Sequence, residues 1–182
     1  MGHDIRPRHD PRCPVQVTLR AVAQAPSLRS RALFPVVRRS LARSIRAGFR
    51  VVHYSVQQDH VHLIVEADGR TALQRGVQGL AIRVALAVNR TLRRKGRLWG
   101  DRYHARELGT PREVPASMVY VLLNFRKHLR AAPGIDPRSS GLAFAGWRGR
   151  GEVPWARRRG YRRAPHLAGV GRDGCAPGDA SP

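Results

Sequence analysis

The chain has 182 residues, with 34 Lys and Arg against 12 Asp and Glu, a formal net charge of +22 and a pI near 11.8. That length suits one domain with a real core plus extensions. So large an excess, nearly all of it arginine, favours a polyanionic partner, with nucleic acid the default. Codon bias in a high-GC genome would explain arginine over lysine, but not the shortage of acids. Cys13 and Cys175 stand near opposite ends, a spacing that reads as neither a disulfide framework nor a zinc knuckle and is compatible with a reducing cytoplasm. No run approaches eighteen apolar residues, so no membrane span is expected, and a cytoplasmic, nucleoid-associated location follows.

Residues 1–12 are polar and rich in Pro and Arg, without an apolar signal core, and read as a basic flexible arm. Val15, Val17, Leu19 and Ala21 alternate with Gln16, Thr18 and Arg20, the pattern of a first strand. From Ser27 or Arg29 to about Ala47 the period becomes helical, with Leu33, Val36, Val37, Leu41 and Ile45 as the apolar stripe and Gly48 as the stop. Phe49 to Val56 is a second strand, Gln57-Gln58-Asp59 a tight turn, and His60 to Glu66 a third strand closing a hairpin. Asp68-Gly69 breaks the chain. A long helix follows to about Arg94, burying Leu73, Val77, Leu80, Val84, Val88 and Leu92. Leu98 to Leu108 reads as a return strand. A last helix starts near Pro115 and runs to Arg130, with Met118, Leu122, Phe125 and Leu129 as its apolar stripe.

The order β-α-β-β-α-β-α predicts an α/β fold of the ferredoxin-like, split βαβ type. It carries a central antiparallel sheet and an extra C-terminal helix. The expected organisation is the arm at 1–12, a domain at 13–132, and a partly disordered Arg/Gly/Pro-rich tail at 133–182. In that tail Trp147, Trp155 and Tyr161 stand among arginines, a composition suited to single-stranded nucleic acid. Pinning of the tail to the domain by its Trp residues is the other reading.

Chemistry concentrates at His60-Val61-His62. A strand's period of two puts both imidazoles on one face, with Val61 and Leu63 on the other. Their Cα atoms would lie roughly 6.6 Å apart, near enough for two ring tips to converge on one ion. The plainer alternative is one hydrogen-bonded ring and one solvated ring. Asp59 reads as a turn residue, or as a partner that orients an imidazole; His53 reads as structural. On the last helix Tyr120 and Asn124 are an i, i+4 pair on roughly the side opposite the apolar stripe, flanked by Lys127 and His128. Packed beside the third strand, that helix would bring a phenol and an amide oxygen towards the imidazoles.

Three ordered stretches carry a resemblance: Asp59-His60-Val61-His62-Leu63-Ile64-Val65, Leu98-Trp99-Gly100-Asp101-Arg102-Tyr103-His104, and Val119-Tyr120-Val121-Leu122-Leu123-Asn124. Together they resemble the single-tyrosine HUH transposases of the insertion-sequence 200 type, and within them the REP-associated tyrosine transposases. The resemblance runs from about Cys13 to Ala131. It implies His60, His62 and Asn124 as ligands of a divalent metal, Mg2+ or Mn2+, and Tyr120 as the nucleophile. It implies a DNA transposase that cuts and rejoins single-stranded or hairpin DNA through a 5′-phosphotyrosine link, as a monomer or homodimer. Arg102, Tyr103, His104, Lys127 and His128 are further candidates for DNA contact. The chain departs from the family after Asn124, where relatives continue with Pro and this chain has Phe125. The main alternative is a catalytically silent, domesticated protein that binds hairpin DNA. An RNA-binding sheet lacks the clustered aromatics it would need, and a metal nuclease lacks an Asp/Glu cluster.

Overall fold

A computed structural model describes residues 9–110, 112–123, 125 and 134–144. Its strands are β1 (Val15–Arg20), β2 (Phe49–Val56), β3 (His60–Ala67) and β4 (His104–Glu107). Its helices are α1 (Phe34–Ala42), α2 (Arg70–Thr91) and α3 (Glu113–Leu123), followed by one 3-10 turn at Ser140–Ala143. The sheet order is β2-β3-β1-β4, and every pairing is antiparallel. This is the ferredoxin-like arrangement expected from the element order.

The alternation in β1 appears directly as burial: Val15, Val17 and Leu19 are buried while Gln16 and Thr18 are half-buried. With Leu63 and Val65 of β3 they form a core against Val37 and Leu41 of α1 and Val77, Leu80 and Val84 of α2. Each such side chain contributes roughly 1.5–3 kcal/mol relative to exposure. The opposite sheet face is covered by α3, where Val121 and Leu122 pack on Val52 and Ile64. All eight residues of β3 are therefore buried, because both faces of this strand are covered.

Several expectations are corrected. Helix α1 begins at Phe34, not at residue 27 or 29, because Pro35 occupies its first turn and the preceding residues form turns. It ends at Ala42, and the chain then turns through Gly48, whose φ of +72° suits glycine. The return strand is confined to four residues, with only an isolated bridge between Ala21 and Trp99 before it. Helix α3 buries Val114, Ser117, Val121 and Leu122; of the expected stripe, Leu122 and Phe125 are buried and Met118 is half-buried, while Ser117 and Val121 join the inner face. Ser117 sits inside because its hydroxyl donates to Gln16 Oε1 at 2.8 Å.

The two ends of the domain also differ from expectation. His9 is pinned by Glu107 at 2.8 Å and by the Ala67 carbonyl at 3.1 Å, so the arm docks from residue 9 onwards. Residues 134–144 are part of the domain. Asp136 is fully buried in a two-bond pair with Arg29, each bond 2.8 Å, and the Val56 amide donates to the Arg138 carbonyl. Among the described residues no helix is long and apolar enough to cross a membrane.

Candidate active site

The register of the sheet assembles a row of polar side chains on the face that α3 crosses. His62 lies opposite Thr18 on β1 and Ser55 on β2, and Thr18 in turn lies opposite His104 on β4. Directly paired residues share a face. Arg20 lies opposite His60 in the neighbouring row. The two imidazoles face one another with ring centroids 4.5 Å apart and planes at 76°.

Packing of Val121 and Leu122 onto Ile64 sets the rotation of α3 and carries Tyr120 over the histidine row. Its ring meets the His62 ring edge-on, with centroids 5.3 Å apart and an interplanar angle of 68°. The histidines are buried, at 6% and 4% exposure, whereas Tyr120 is 40% exposed. A phenol that touches the His62 imidazole and still reaches the surface can be met by an extended chain without opening the domain.

The outer nitrogens of both rings are engaged. His60 Nδ1 bonds Asp59 Oδ1 at 2.7 Å, and His62 Nδ1 bonds the Thr18 hydroxyl at 3.0 Å. Burial raises the Asp59 pKa, but the bond to His60 and the charges of His60 and Arg20 outweigh it, so the carboxyl titrates below its usual range. Arg20 Nε stands 3.5 Å from Asp59 Oδ2. An ionised carboxylate only accepts, so His60 Nδ1 carries the proton it donates and Nε2 is the nitrogen with ligand character. Such a carboxylate–histidine arrangement is the common way a protein orients a metal-binding ring.

The donor chemistry therefore fits a metal: two adjacent imidazoles, each oriented from behind. Among the described residues no cluster of three or more His, Cys, Asp or Glu completes a ligand set. The expected third ligand, Asn124, lies outside the described residues, as do Lys127 and His128.

The remaining candidates divide. His104 is exposed and lies in the histidine row beside Thr18. Tyr103 is half-buried against the other face, with the α1 and α2 core, and Arg102 is exposed in the loop before β4. Strand alternation separates neighbours that the sequence places together. His53 is structural, as expected: it is 3% exposed, its Nδ1 bonds Ser140 Oγ at 3.2 Å, and burial pushes its pKa down to about 4. Thr18 was missed by sequence reasoning, since only the register identifies it as the neighbour of His62. Asp59 stands in the turn between β2 and β3, as expected, and also bonds the ring beside it.

The structure thus combines a ferredoxin-like antiparallel sheet, paired imidazoles on an inner strand and a tyrosine on a crossing helix. Residues 35–121 match the family described as transposase, IS200-like. The fold is similar to that of the REP-associated tyrosine transposase bound to a REP hairpin, with a TM-score of 0.59 and 14% identity over 72% of this chain and 76% of that one. A Deinococcus radiodurans protein with a transposase designation aligns over 72% of this chain and 98% of its own, with a TM-score of 0.43 and 15% identity. No curated protein sequence matches the chain.

Proposed function

We propose that the chain is a single-tyrosine HUH transposase of the REP-associated kind, acting on single-stranded or hairpin DNA. The observation that carries this reading is the contact between Tyr120 and His62 within one protomer. Tyr120 Oη attacks a backbone phosphorus, forming the Oη–P bond and breaking the P–O3′ bond. The phenol gives up its proton, the departing 3′ oxygen takes one, and the DNA stays attached as a 5′-phosphotyrosine. Attack by a 3′-hydroxyl reverses the step on a new end, so joining needs no external energy source.

His60 and His62 would hold a divalent ion, Mg2+ or Mn2+, with Asn124 the expected third ligand. When bound, it supplies Lewis-acid polarisation of the phosphate oxygens. Asp59 and Thr18 keep the two rings in place through their Nδ1 bonds. The net charge of +22 favours the approach of the polyanion.

The test is a labelled single-stranded hairpin incubated with manganese and resolved in SDS. Wild type should form a resistant adduct. Tyr120→Phe should bind the hairpin and form none, and His60→Ala with His62→Ala should likewise form none. Binding without an adduct in wild type would replace this reading with that of a silent hairpin-binding protein. An adduct that persists in Tyr120→Phe would remove Tyr120 from the role.

A further inference from the structure

The turn beside the histidines carries a buried polar atom that the proposed mechanism does not use. Gln57 is 1% exposed, and its buried Oε1 bonds nothing among the described residues. Its backbone N–H donates to the His60 carbonyl at 2.8 Å. That bond closes the Gln58-Asp59 turn one step beyond the Val56–Val61 pair and sets Gln57 directly opposite His60. Ser55 lies opposite His62. Opposed residues share a sheet face with Cβ atoms about 5 Å apart, so Gln57 and Ser55 flank the two imidazoles on the face that α3 crosses.

The orientation of the side-chain amide is set from its other end. Asp136 pairs with Arg29, and a carboxylate only accepts, so Ser55 Oγ donates to Asp136 Oδ2 at 3.5 Å and accepts from Gln57 Nε2 at 2.7 Å. Nε2 is therefore engaged, and Oε1 is the end that remains. The imidazoles are held in a complementary way. Thr18 holds His62 Nδ1 from β1, and the two nitrogens of an imidazole point in diverging directions. His62 Nε2 thus faces away from β1, the side on which β2 stands in the order β2-β3-β1-β4. Asp59 likewise occupies His60 Nδ1.

We propose that Gln57 Oε1 is a further ligand of the divalent ion, an inference that rests on the metal reading of His60 and His62 above. A buried acceptor without a donor is costly in a folded chain, and a cation satisfies it as a donor would. An amide oxygen is a hard ligand of the kind that Mg2+ and Mn2+ take, whereas imidazoles alone suit zinc or copper. Gln57 belongs to the hairpin and not to the tyrosine helix. The sheet by itself then supplies three donors, His60 Nε2, His62 Nε2 and Gln57 Oε1, in addition to the Asn124 that the resemblance implies.

The experiment titrates Mn2+ alone into the full chain by calorimetry and follows urea unfolding in EDTA and in Mn2+. Gln57→Leu removes the oxygen and should weaken Mn2+ binding by about tenfold or more, since even losing a partner behind a ligand costs that much. Gln57→Glu puts a charged oxygen in the same place and should bind Mn2+ at least as tightly as wild type. In EDTA, Gln57→Leu should unfold at the wild-type urea midpoint, the lost bond to Ser55 being offset by removal of the unpaired acceptor. Only Mn2+ should separate the two proteins, because a ligand stabilises the state that binds it. Unchanged Mn2+ affinity in Gln57→Leu, with binding abolished in the His60→Ala, His62→Ala variant, overturns this inference and leaves the histidine site standing; a buried water then satisfies Oε1. If leucine disrupts the turn, Gln57→Glu decides alone, and weaker binding than wild type overturns the inference. A wild type that binds no Mn2+ overturns both this inference and the metal reading beneath it.

Discussion

Replacing His53 with glutamine should make the domain more resistant to mild acid. The ring is buried against the edge of Phe144, with centroids 4.9 Å apart, and bonded to Ser140, and burial lowers its pKa from 6.5 to about 4. The sign follows from proton counting. Between those two values the unfolded chain binds the proton and the folded chain does not, so stability falls as the pH drops through that window. Above 6.5 neither state is protonated and nothing is lost; below 4 both are, and the loss levels off. At about 1.4 kcal/mol per pKa unit the whole effect approaches roughly 3 kcal/mol, of which about 2 kcal/mol falls between pH 7 and pH 5. Urea unfolding followed by circular dichroism at those two pH values measures it. Wild type should lose about 2 kcal/mol more than His53→Gln over that interval. Equal losses in the two proteins would show that His53 is not held neutral by its surroundings.

The remaining predictions concern packing and the orientation of the imidazoles. A Cβ at Gly76 would sit 2.2 Å from Phe49 Cδ2, so Gly76→Ala should cost about 1–3 kcal/mol. A Cβ at Gly79, on the same helix, meets nothing within 4 Å, so Gly79→Ala should stabilise by up to about 1 kcal/mol. Urea midpoints for the pair decide this, and equal effects would refute the packing argument. Thr18→Val removes the hydroxyl bonded to His62 Nδ1 and should weaken Mn2+ binding about 10- to 100-fold in a calorimetric titration. An unchanged affinity would mean that His62 is oriented by something else.

How much of this was legible in the sequence depends on the period of each segment. The bounds of β2 and the start of β3 follow directly from alternation between the Gly48 turn and the Gln57-Gln58-Asp59 turn. The same alternation places His60 and His62 on one face. The inner face of α3 was legible through Leu122 and Phe125, but apolar counting passes over Ser117, which is buried through its bond to Gln16. The segment 134–144 has no period to read; it is held by Asp136 and Ser140, polar side chains whose partners lie on β2 or on Arg29, and by a backbone bridge between Ser139 and Ser55. Such long-range polar anchors leave no local trace. Thr18 was hidden for a similar reason, since its neighbour His62 is 44 residues away in the chain. Tyr120 could be placed on a helix from its spacing, but its contact with His62 needed the packing of Val121 and Leu122.

The central claim is that the phenol and the imidazole pair act together within one chain. Mixing Tyr120→Phe with the His60→Ala, His62→Ala variant, and scoring SDS-resistant hairpin adducts against wild type, tests it most directly. Because Tyr120 and His62 touch within a single protomer, the mixture should form no adduct while wild type does. Recovery of adduct on mixing would contradict the account, since it would require one protomer's tyrosine to work with its partner's histidines.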